Sequence, residues 1–404
     1  MRTLIILKGL VKKQKECWVK KEGLSNFLVD ISLLKRVYYR PDYKGGGREF
    51  LTRSFDDLVY RNFIGALCSH LSTGMLVVVD ADQESTTSIE ILGEIFGYQV
   101  FYHVEPTPID YIGKNKKYCS PYFISPSKDT LKEQVDSFKR FSTDYPIIGS
   151  YQDIENFWRP LTHNIHLEKD DKVLHISDLH SHWRVLNNQV PSPEDFALTV
   201  FHGDYIDGPE MGGSRRLIDQ ILKYEGYDNI IFLEGNHELR LRRYLGYIYF
   251  RGKQKKIISE VLMSDIPQDF LNKTAKEFTG LTYQDALDMI FLMNDKFKEF
   301  VTYSKGREQF ACTHAGLRWL DQLCPKYIGN VIYSNKNVER VDQAFSAAYA
   351  ELGWWSIHGH CRYNELNFNK FPGVINFDTE DEDKVNYLIN DNTKNFNVCV
   401  LSEK

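Results

Sequence analysis

The sequence predicts an α/β protein built from two domains. With 404 residues, the chain is longer than one average domain, and each half is long enough to bury a core of its own. Apolar, β-branched runs such as MLVVVDAD (75–82) alternate with segments of helical character, which is typical of parallel sheets with helical crossovers. A polar, aperiodic stretch with a proline, residues 157–171, predicts a linker and hence domains at 1–158 and 159–404.

The N-terminal domain is predicted to alternate strands and helices along the chain. LIIL (4–7) is the first strand, followed by a loop and a mixed segment that ends in FLVDIS (27–32). The run at 75–82 has the continuous apolar character of a buried parallel strand. SIEILGEIFGYQV (88–100) predicts a helix that leads into another strand, and residues 127–141 predict an amphipathic helix with a Ser/Asp start.

Composition excludes several classes of protein. The formal net charge is −5, so the whole molecule is not a basic nucleic-acid binder, and any anion-binding surface is local. Seven scattered cysteines without a CxxC pair indicate reduced thiols in a cytoplasmic chain, neither a disulfide framework nor a zinc knuckle. The apolar runs are too short to span a bilayer and the N-terminus lacks a signal-peptide pattern, so a cytoplasmic protein without a membrane segment is expected.

In the second half, five apolar runs each end in polar side chains that can ligate metals. The runs are VLHIS (173–177), ALTVFHG (197–203), NIIFLEG (229–235), EQFACTHAG (308–316) and WWSIHGH (354–360). Side chains just past the strand ends of an open α/β sheet converge on one crevice. The oxygen and nitrogen set that results, without a thiolate, suits two divalent cations such as Mn²⁺, Fe or Zn²⁺. Its members are Asp178, His180, Asp204, Asn236, His314 and His360.

The motifs DxH, GDxxD, GNHE, HAG and GH follow one another over about residues 170–390. In this order they resemble the calcineurin-like metallophosphoesterases, especially the branch that contains bacterial, phage and eukaryotic Ser/Thr-type phosphatases. The resemblance implies an α/β sandwich with a dinuclear centre, loaded with Mn²⁺ foremost and with Fe, Zn²⁺ or Ni²⁺ as alternatives. It implies that Asp178 and His180 hold one metal, that Asp204 bridges both, and that the second metal is held by Asn236, His314 and His360.

The same resemblance assigns roles next to the metals. His237 is expected to be a general acid or a phosphate contact, oriented by Asp207. The family usually has a phosphate-binding arginine after GDxxD, whereas Gly208 and Pro209 follow here. Three arginines remain open as substitutes, and NFDTED (376–381) resembles a bacterial NIDTG segment that adds one acidic candidate. These substrate-binding candidates are Arg215, Arg216, Arg240 and Asp378.

The N-terminal domain shows a second resemblance. Residues 9–16 align with the phosphate-binding pattern G-x-x-x-x-G-K-[ST], with Lys15 on the lysine, but Gln14 replaces the second glycine and Glu16 replaces the metal-binding hydroxyl. Together with Trp18, FLVDIS, VVVDADQES and EIFGYQV, the segment 1–145 resembles the kinase module of polynucleotide kinase-phosphatases. The resemblance implies a P-loop-kinase-like parallel sheet that has lost its activity, a pseudokinase; an unrelated small α/β domain is the alternative.

An insert of about seventy residues between GNHE and THAG is predicted to be mostly helical. Its opening, residues 239–256, is basic with interleaved tyrosines, which indicates either RNA binding or a solvated helix face with tyrosines in the core. Three functions compete. The first is a phosphatase that processes 3′ or 2′,3′-cyclic phosphate ends of nucleic acid in RNA repair. The second is a protein Ser/Thr phosphatase or a dinucleoside-polyphosphate hydrolase, and the third, a scaffold with two inactive halves, is disfavoured by the intact ligand set.

Overall fold

A computed structural model gives the fold of the chain in two units. It describes residues 2–8, 12–31, 34, 52–81, 86–105, 143–158, 164–208, 212–221, 224, 226–316, 338–360, 370–378, 384–392 and 395–402. Contacts divide the chain into Arg2–Arg159 and Pro160–Lys404. The helix predicted at 127–141 lies outside the described residues.

In the described part of the N-terminal unit, five strands form a parallel sheet in the order β2-β3-β1-β4-β5. The strands are β1 (Arg2–Lys8), β2 (Leu28–Asp30), β3 (Val77–Asp80), β4 (Tyr98–Val104) and β5 (Ile147–Ile148). The helices are α1 (Lys12–Lys21), α2 (Thr52–Ser72), α3 (Thr87–Ile95) and α4 (Tyr151–Trp158). The central strand β1 and its neighbour β3 are almost wholly buried, as strands covered on both faces must be. The strands predicted at 4–7 and 75–82, and the helix and strand predicted at 88–100, are therefore confirmed.

The described strands of the C-terminal unit form two sheets. One has the order β10-β9-β8-β7-β15-β16 and the other β14-β13-β12-β11-β6. Their members are β6 (Asn164–Leu167), β7 (Val173–Ser177), β8 (Leu198–Phe201), β9 (Ile230–Leu233), β10 (Phe297–Lys298), β11 (Phe300–Lys305), β12 (Glu308–Thr313), β13 (Trp354–His358), β14 (Val374–Asn376), β15 (Lys384–Asn392) and β16 (Asn395–Ser402). The core lies between the sheets, where Val200 and Leu388 of one sheet belong to the same buried cluster as Tyr303, Phe310 and Ile357 of the other.

Helices connect these strands. They are α5 (Trp183–Asn188), α6 (Gly213–Ile221), α7 (Asn236–Gly252), α8 (Lys256–Ser264), α9 (Gln268–Asn272), α10 (Thr274–Glu277), α11 (Tyr283–Lys296) and α12 (Val338–Leu352). The helices α7 to α11 make up the predicted insert, which is helical as expected, and α7 packs against α8 and α11. Within the described residues, every helix is too short or too polar to cross a bilayer.

Two expectations from the sequence need correction. The predicted linker contains the strand β6, which pairs in parallel with β11 through residues 164–167. Its apolar side chains, Ile165 and Leu167, pack against the core. Two alternating apolar residues within a polar segment are too few to predict a strand from the sequence. The five motif-bearing runs also belong to two sheets, three to one and two to the other. The candidate ligands therefore meet at the joint edge of a sandwich and not in the crevice of one open sheet.

Candidate metal centre

Loops after five strands bring the candidate ligands together. Asp178 follows β7, Asp204 follows β8, Asn236 begins α7 directly after β9, and His314 and His360 follow β12 and β13. Of the seven described non-glycine residues with positive φ, six lie in these loops, although this conformation costs about 1–3 kcal/mol for each such residue. Backbone strain is thus concentrated at the candidate site. The six are Asp178 (φ 52°), His180 (38°), Ser181 (70°), Asp204 (53°), Asp207 (67°) and His360 (63°).

The carboxylate of Glu238 holds two of these loops in place. It accepts hydrogen bonds from the backbone N–H groups of Asp204, Tyr205 and Gly235, each at 2.9 Å, and it is fully buried. Burial, reinforced by the charge of Asp204, raises the pKa of Glu238 to about 7. Our reading of the motifs gave this residue no role, although a glutamate three residues after a helix N-cap is the pattern of a capping box.

Asp204 is shared by two groups of potential ligands. One group is Asp178, His180 and Asp204, and the other is Asp204, His314 and His360. His314 Nε2 lies 3.4 Å from Asp204 Oδ1 and His360 Nδ1 lies 3.6 Å from Asp204 Oδ2, while His180 Nε2 lies 4.0 Å from Asp178 Oδ1. The backbone N–H of His360 donates to Asp178 Oδ2 at 3.2 Å and ties the two groups together.

The amide of Asn236 tests whether this pocket suits a cation. Its Oδ1 lies 3.1 Å from His314 Nε2, 2.9 Å from His360 Nδ1 and 3.2 Å from each carboxylate oxygen of Asp204. Turning the amide over would instead let its nitrogen donate to the same atoms. Lone pairs of oxygen and imidazole nitrogen thus converge on one small volume, and a divalent cation of the borderline or hard kind satisfies them. The residues fit the metal that their pattern predicts.

Charges in the pocket are strongly coupled. Burial alone would raise the pKa of Asp204, but the neighbouring His237 and His314 hold it well below its ordinary value. Burial opposes protonation of His314, yet the charge of Asp204 raises the pKa of His314 to about 9. Burial lowers the pKa of His180 and of His360. These two imidazoles are therefore neutral and ready to ligate, whereas His314 must release a proton when it binds a metal.

His237 and Asp207 form a dyad beside the ligands. His237 Nδ1–H donates to Asp207 Oδ2 at 2.9 Å, and His237 Nε2 lies 3.6 Å from Asp204 Oδ2. Burial lowers the pKa of His237, but the charge of Asp204 and the bond to Asp207 outweigh it, so the pKa is raised. Burial raises the pKa of Asp207, and the hydrogen bonds to His237 and Thr274 bring it below its ordinary value. Asp207 therefore holds the imidazole of His237 through Nδ1, and Nε2 faces the carboxylate of Asp204.

Of the three candidate arginines, the structure brings Arg240 to the dyad. Its Nη1 lies 3.2 and 3.3 Å from the two ring nitrogens of His237 and 3.7 Å from Asp207 Oδ2. Arg215 instead pairs with Asp219 on an exposed face of α6, and the guanidinium of Arg216 lies over Trp183. Asp378 follows β14 and is half-buried; among the described residues, the two ligand groups around Asp204 do not include it.

Two histidines that flank the motifs, His175 and His202, form hydrogen bonds next to the candidate ligands. His202 Nδ1–H donates to the carbonyl of Thr313 at 2.8 Å, which fixes the residue directly before His314. A second bond, at 3.1 Å, joins His202 Nε2 to His175 Nδ1. Burial lowers the pKa of His202 to about 3, so this pair stays neutral. With Cys312, these rings form a further group of potential ligand atoms, but their nitrogens are already used in hydrogen bonds.

Part of the basic opening of the insert is buried. Arg242 is 1% exposed and Arg243 is 9% exposed, and Arg242 Nε lies 2.6 Å from Glu234 Oε1 in a buried ion pair. Tyr244 is buried as well. Apart from the partly exposed Arg240, the cations of this stretch that reach solvent lie at the far end of α7 and beyond it. They are Arg251, Lys253, Lys255 and Lys256.

The N-terminal unit carries a buried ion pair at the carboxyl edge of its sheet. Lys15, in the first helix, places Nζ 2.6 Å from Asp80 Oδ1 at the end of β3, and both side chains are buried. Trp18 stacks on His103 with ring centroids 3.9 Å apart and donates from Nε1 to the carbonyl of Gly149 at 2.9 Å. The loop residues 9–11, 32–33 and 82–85, on which part of the predicted kinase resemblance depends, lie outside the described residues.

A two-sheet sandwich whose loops carry a shared aspartate, histidines and an asparagine defines a metal-dependent hydrolase of phosphoesters. A family model for the calcineurin-like phosphoesterases matches residues 171–389. Because this match spans more than half of the chain, the protein belongs to that family, as its motifs predicted, and it is an enzyme that acts on phosphoesters. No curated protein matched the sequence.

Solved structures with similar folds include several phosphatases. One is a protein serine/threonine phosphatase from Saccharomyces cerevisiae with similarity to human phosphatase PP5, 11% identical, covering 69% of this chain and 97% of that chain with a TM-score of 0.39. A putative diadenosine tetraphosphatase is 12% identical, covering 60% and 98% with a TM-score of 0.34. A metallophosphoesterase from Sphaerobacter thermophilus is 11% identical, covering 58% and 89% with a TM-score of 0.31.

Proposed function

We propose that the C-terminal unit is a dinuclear-metal-dependent phosphatase or phosphodiesterase that removes 3′ or 2′,3′-cyclic phosphates from nucleic-acid ends. The observation that carries the dinuclear chemistry is Asp204, whose carboxylate belongs to both ligand groups and lies beside the His237–Asp207 dyad. A carboxylate between two ligand sets is the arrangement that a pair of metal ions needs to act on one phosphoryl group.

Asp178, His180 and Asp204 would hold one ion, and Asp204, Asn236, His314 and His360 the other. Two divalent ions bound there, Mn²⁺ foremost with Fe, Zn²⁺ or Ni²⁺ as alternatives, supply Lewis-acid polarisation of the phosphoryl group and a nucleophilic water at neutral pH.

The chain's own residues bind the phosphate and move a proton. The Arg240 guanidinium, partly exposed at the dyad, binds a phosphoryl oxygen by charge-assisted hydrogen bonds and takes the place of the arginine missing after Asp207. His237, held through Nδ1–H by Asp207, donates its Nε2 proton to the leaving ribose oxygen. A positioned general acid contributes about 10²–10⁴-fold to the rate. Buried Arg242 and Arg243 have no part in substrate binding in this proposal.

Support for a nucleic-acid substrate comes from the exposed cations at the end of α7. Arg251 stands fifteen residues after Asn236 on one continuous helix, which corresponds to about 22 Å along the helix axis. A small phosphoester bound at Asp204 cannot reach that far, whereas a strand of several nucleotides can, and its backbone phosphates would meet Arg251 and Lys253. The burial of Arg242 and Arg243 favours the alternative, a protein Ser/Thr phosphatase or a dinucleoside-polyphosphate hydrolase, because it leaves Arg240 as the one partly exposed cation of α7 near the centre.

For the N-terminal unit we propose a degenerate polynucleotide-kinase-like domain, a pseudokinase, over residues 1–158. The parallel sheet in the order β2-β3-β1-β4-β5 supports a nucleotide-kinase-like arrangement, and Lys15 stands where such a domain has its phosphate lysine. Because Lys15 is buried against Asp80 at 2.6 Å, its charge is already neutralised. Gln14 and Glu16 further disfavour a bound phosphate. The unit is therefore expected to transfer no phosphate from ATP to a 5′ end.

A substrate panel with Mn²⁺ tests the proposal. Wild-type protein and the Asp204→Asn variant are compared on RNA with a 3′-phosphate, RNA with a 2′,3′-cyclic phosphate, a phosphopeptide, a dinucleoside tetraphosphate and an aryl phosphate. We expect the RNA ends to be the preferred substrates, and we expect Asp204→Asn to abolish turnover of every ester because both ligand groups lose a charge. Preference for the phosphopeptide or the dinucleotide would establish the alternative, and no turnover of any ester would refute both.

A second comparison isolates the cations of α7. Replacing Arg251 and Lys253 by alanine is expected to reduce the salt slope of RNA binding by up to about 1.4, at roughly 0.7 for each lost phosphate contact on a single strand. Lys20→Ala with Lys21→Ala removes the same charge from exposed positions of α1 and serves as the matched control. An unchanged slope in the Arg251 and Lys253 variant would show that RNA does not run along α7.

A further inference from the structure

A side chain of the helical insert, that of Thr274, is hydrogen-bonded to the carboxylate of the dyad. This residue is the first of α10 and is 1% exposed. Its Oγ1–H donates to Asp207 Oδ1 at 2.7 Å, while the other oxygen, Oδ2, accepts from His237 Nδ1–H at 2.9 Å. The hydroxyl of Thr274, the carboxylate of Asp207 and the imidazole of His237 are thus connected by two successive hydrogen bonds. We infer that Thr274 is a positioning residue that orients Asp207, and through it the proton donor His237.

The conformation of Asp207 shows why a second contact is needed. Its backbone is left-handed, with φ 67°, and is fastened by a hydrogen bond from its N–H to Ser214 Oγ at 3.2 Å. The carboxylate itself can still rotate, and Arg240 Nη1 stands 3.7 Å from Oδ2 as a competing charge. By occupying Oδ1, the Thr274 hydroxyl keeps Oδ2 directed at His237 and prevents a bidentate turn toward Arg240.

Thr274 is not simply capping its own helix. Lys273 is the N-cap residue of α10, and the Thr274 hydroxyl donates outward to Asp207, whereas a capping side chain accepts from N–H groups of its own first turn.

A second residue of the same short helix fastens it to this place. Glu277 Oε1 accepts from the N–H of Gly212 at 3.1 Å, and Glu277 Oε2 accepts from the N–H of Arg215 at 2.8 Å. The helix α10 is thereby docked on the start of α6, directly after the loop that carries Asp207. The insert thus belongs to the proton-donating machinery of the site.

This inference rests on the proposed general-acid role of His237, and it predicts where the defect of a variant appears. Thr274→Val removes the hydroxyl and keeps the shape of the side chain, whereas Thr274→Ser keeps the hydroxyl. A misdirected His237 slows departure of a basic alkoxide but matters little for an acidic phenolate, which leaves without a proton. We expect Thr274→Val to lower kcat for an alkyl phosphate between about 10- and 100-fold, with KM and the turnover of p-nitrophenyl phosphate changed less than about threefold.

Two comparisons separate positioning from general damage. Thr274→Ser should restore kcat for the alkyl ester to within about threefold of wild type. Thr199→Val is the matched control, because Thr199 is fully buried on β8 and its Oγ1–H donates to the carbonyl of Pro193 at 2.7 Å. That variant loses a buried threonine hydrogen bond of equal length and should leave both esters unaffected. Equal losses on both esters in Thr274→Val, or no rescue by serine, would overturn the inference.

A spectroscopic readout keeps this test independent of turnover. In protein with ¹⁵N-labelled histidine and no added metal, the Nδ1–H resonance of His237, assigned with His237→Gln, should shift in Thr274→Val and keep its wild-type position in Thr274→Ser. An unchanged resonance in the valine variant would refute the positioning role. If the resonance behaves as expected while wild-type protein hydrolyses no phosphoester, the inference stands and the proposed function fails.

Discussion

Gly359 lies where the loop after β13 meets the end of β7, and a single methyl group there should disable the centre. The residue is buried in the loop after β13, directly before His360. A Cβ built on it overlaps Ser177 Oγ and Asp178 Oδ2. Ser177 is the last residue of β7 and Asp178 is the first residue after it, and Ser177 Oγ–H donates to Asp178 Oδ2. The Gly359→Ala variant must therefore move either its own loop or the carboxylate of Asp178.

The size of the effect follows from the overlap. Asp178 must retreat by about 1 Å to reach an ordinary contact with the new methyl group, and a misplacement of that size costs about 10²-fold in activity. Overpacking of a buried site adds about 1–3 kcal/mol of lost stability. We expect Gly359→Ala to bind Mn²⁺ more weakly in chelator competition, to hydrolyse an aryl phosphate about 100-fold more slowly, and to remain folded because the free energy of unfolding of a domain is about 5–15 kcal/mol.

Gly65→Ala is the matched control for this variant. Gly65 lies in α2 of the N-terminal unit, and a Cβ there meets nothing within 4 Å. The same substitution should stabilise that helix by about 0.5–1 kcal/mol and leave metal binding unchanged. If Gly359→Ala binds Mn²⁺ and turns over substrate like wild type, Asp178 does not hold a metal in the way we argue.

Three further predictions concern ion pairs and the metal. Arg242→Ala should lower the free energy of unfolding of the C-terminal unit in urea by about 3–5 kcal/mol, because it removes the charge that faces buried Glu234, and Arg242→Met with Glu234→Leu should lose less. An unchanged free energy of unfolding in Arg242→Ala would show that the pair is solvated. Removal of metal with EDTA should lower the thermal midpoint and stop hydrolysis. Adding Mn²⁺ at about 100 times its Kd should raise the free energy of unfolding again by about 2.7 kcal/mol. Identical melting curves with EDTA and with Mn²⁺ would contradict a bound metal. Lys15→Met should destabilise the N-terminal unit by removing the charge that faces buried Asp80, while hydrolysis of an aryl phosphate stays at the wild-type rate; a loss of hydrolysis would show that the two units are coupled.

The sequence located the candidate ligands because they are attached to the strongest local pattern in the chain. Buried strands are continuous apolar runs, and the ligands follow them within one to three residues. The apolar pattern and the order of the strands are therefore enough to predict that Asp178 and Asn236 lie just after strand ends. The order of the motifs supplied the rest of the set. The structure places these side chains together, in the loops after the strands that the sequence indicated.

Contacts between segments far apart in the chain were beyond the reach of the sequence. Nothing in the pattern around Thr274 distinguishes it from an ordinary residue of a short helix, yet its hydroxyl meets Asp207, 67 positions earlier. The burial of Arg242 was equally hidden, since a run of arginines and tyrosines is the same string whether it faces solvent or Glu234. Arg240 could be chosen from three arginines only when its distance to His237 was known.

Strain and electrostatics at the centre point to one physical consequence. Asp178, His180, Asp204, Asp207 and His360 all hold a left-handed backbone, at about 1–3 kcal/mol for each, and their side chains bring lone pairs toward one volume. Hydrogen bonds from backbone N–H groups to Glu238 offset part of that cost. A bound cation offsets more, because it attracts the carboxylate and amide oxygens and the imidazole nitrogens together. Folding of the C-terminal unit and loading of its metal are therefore coupled, and the loops after β7, β8 and β13 should be the first to open when the metal is withdrawn.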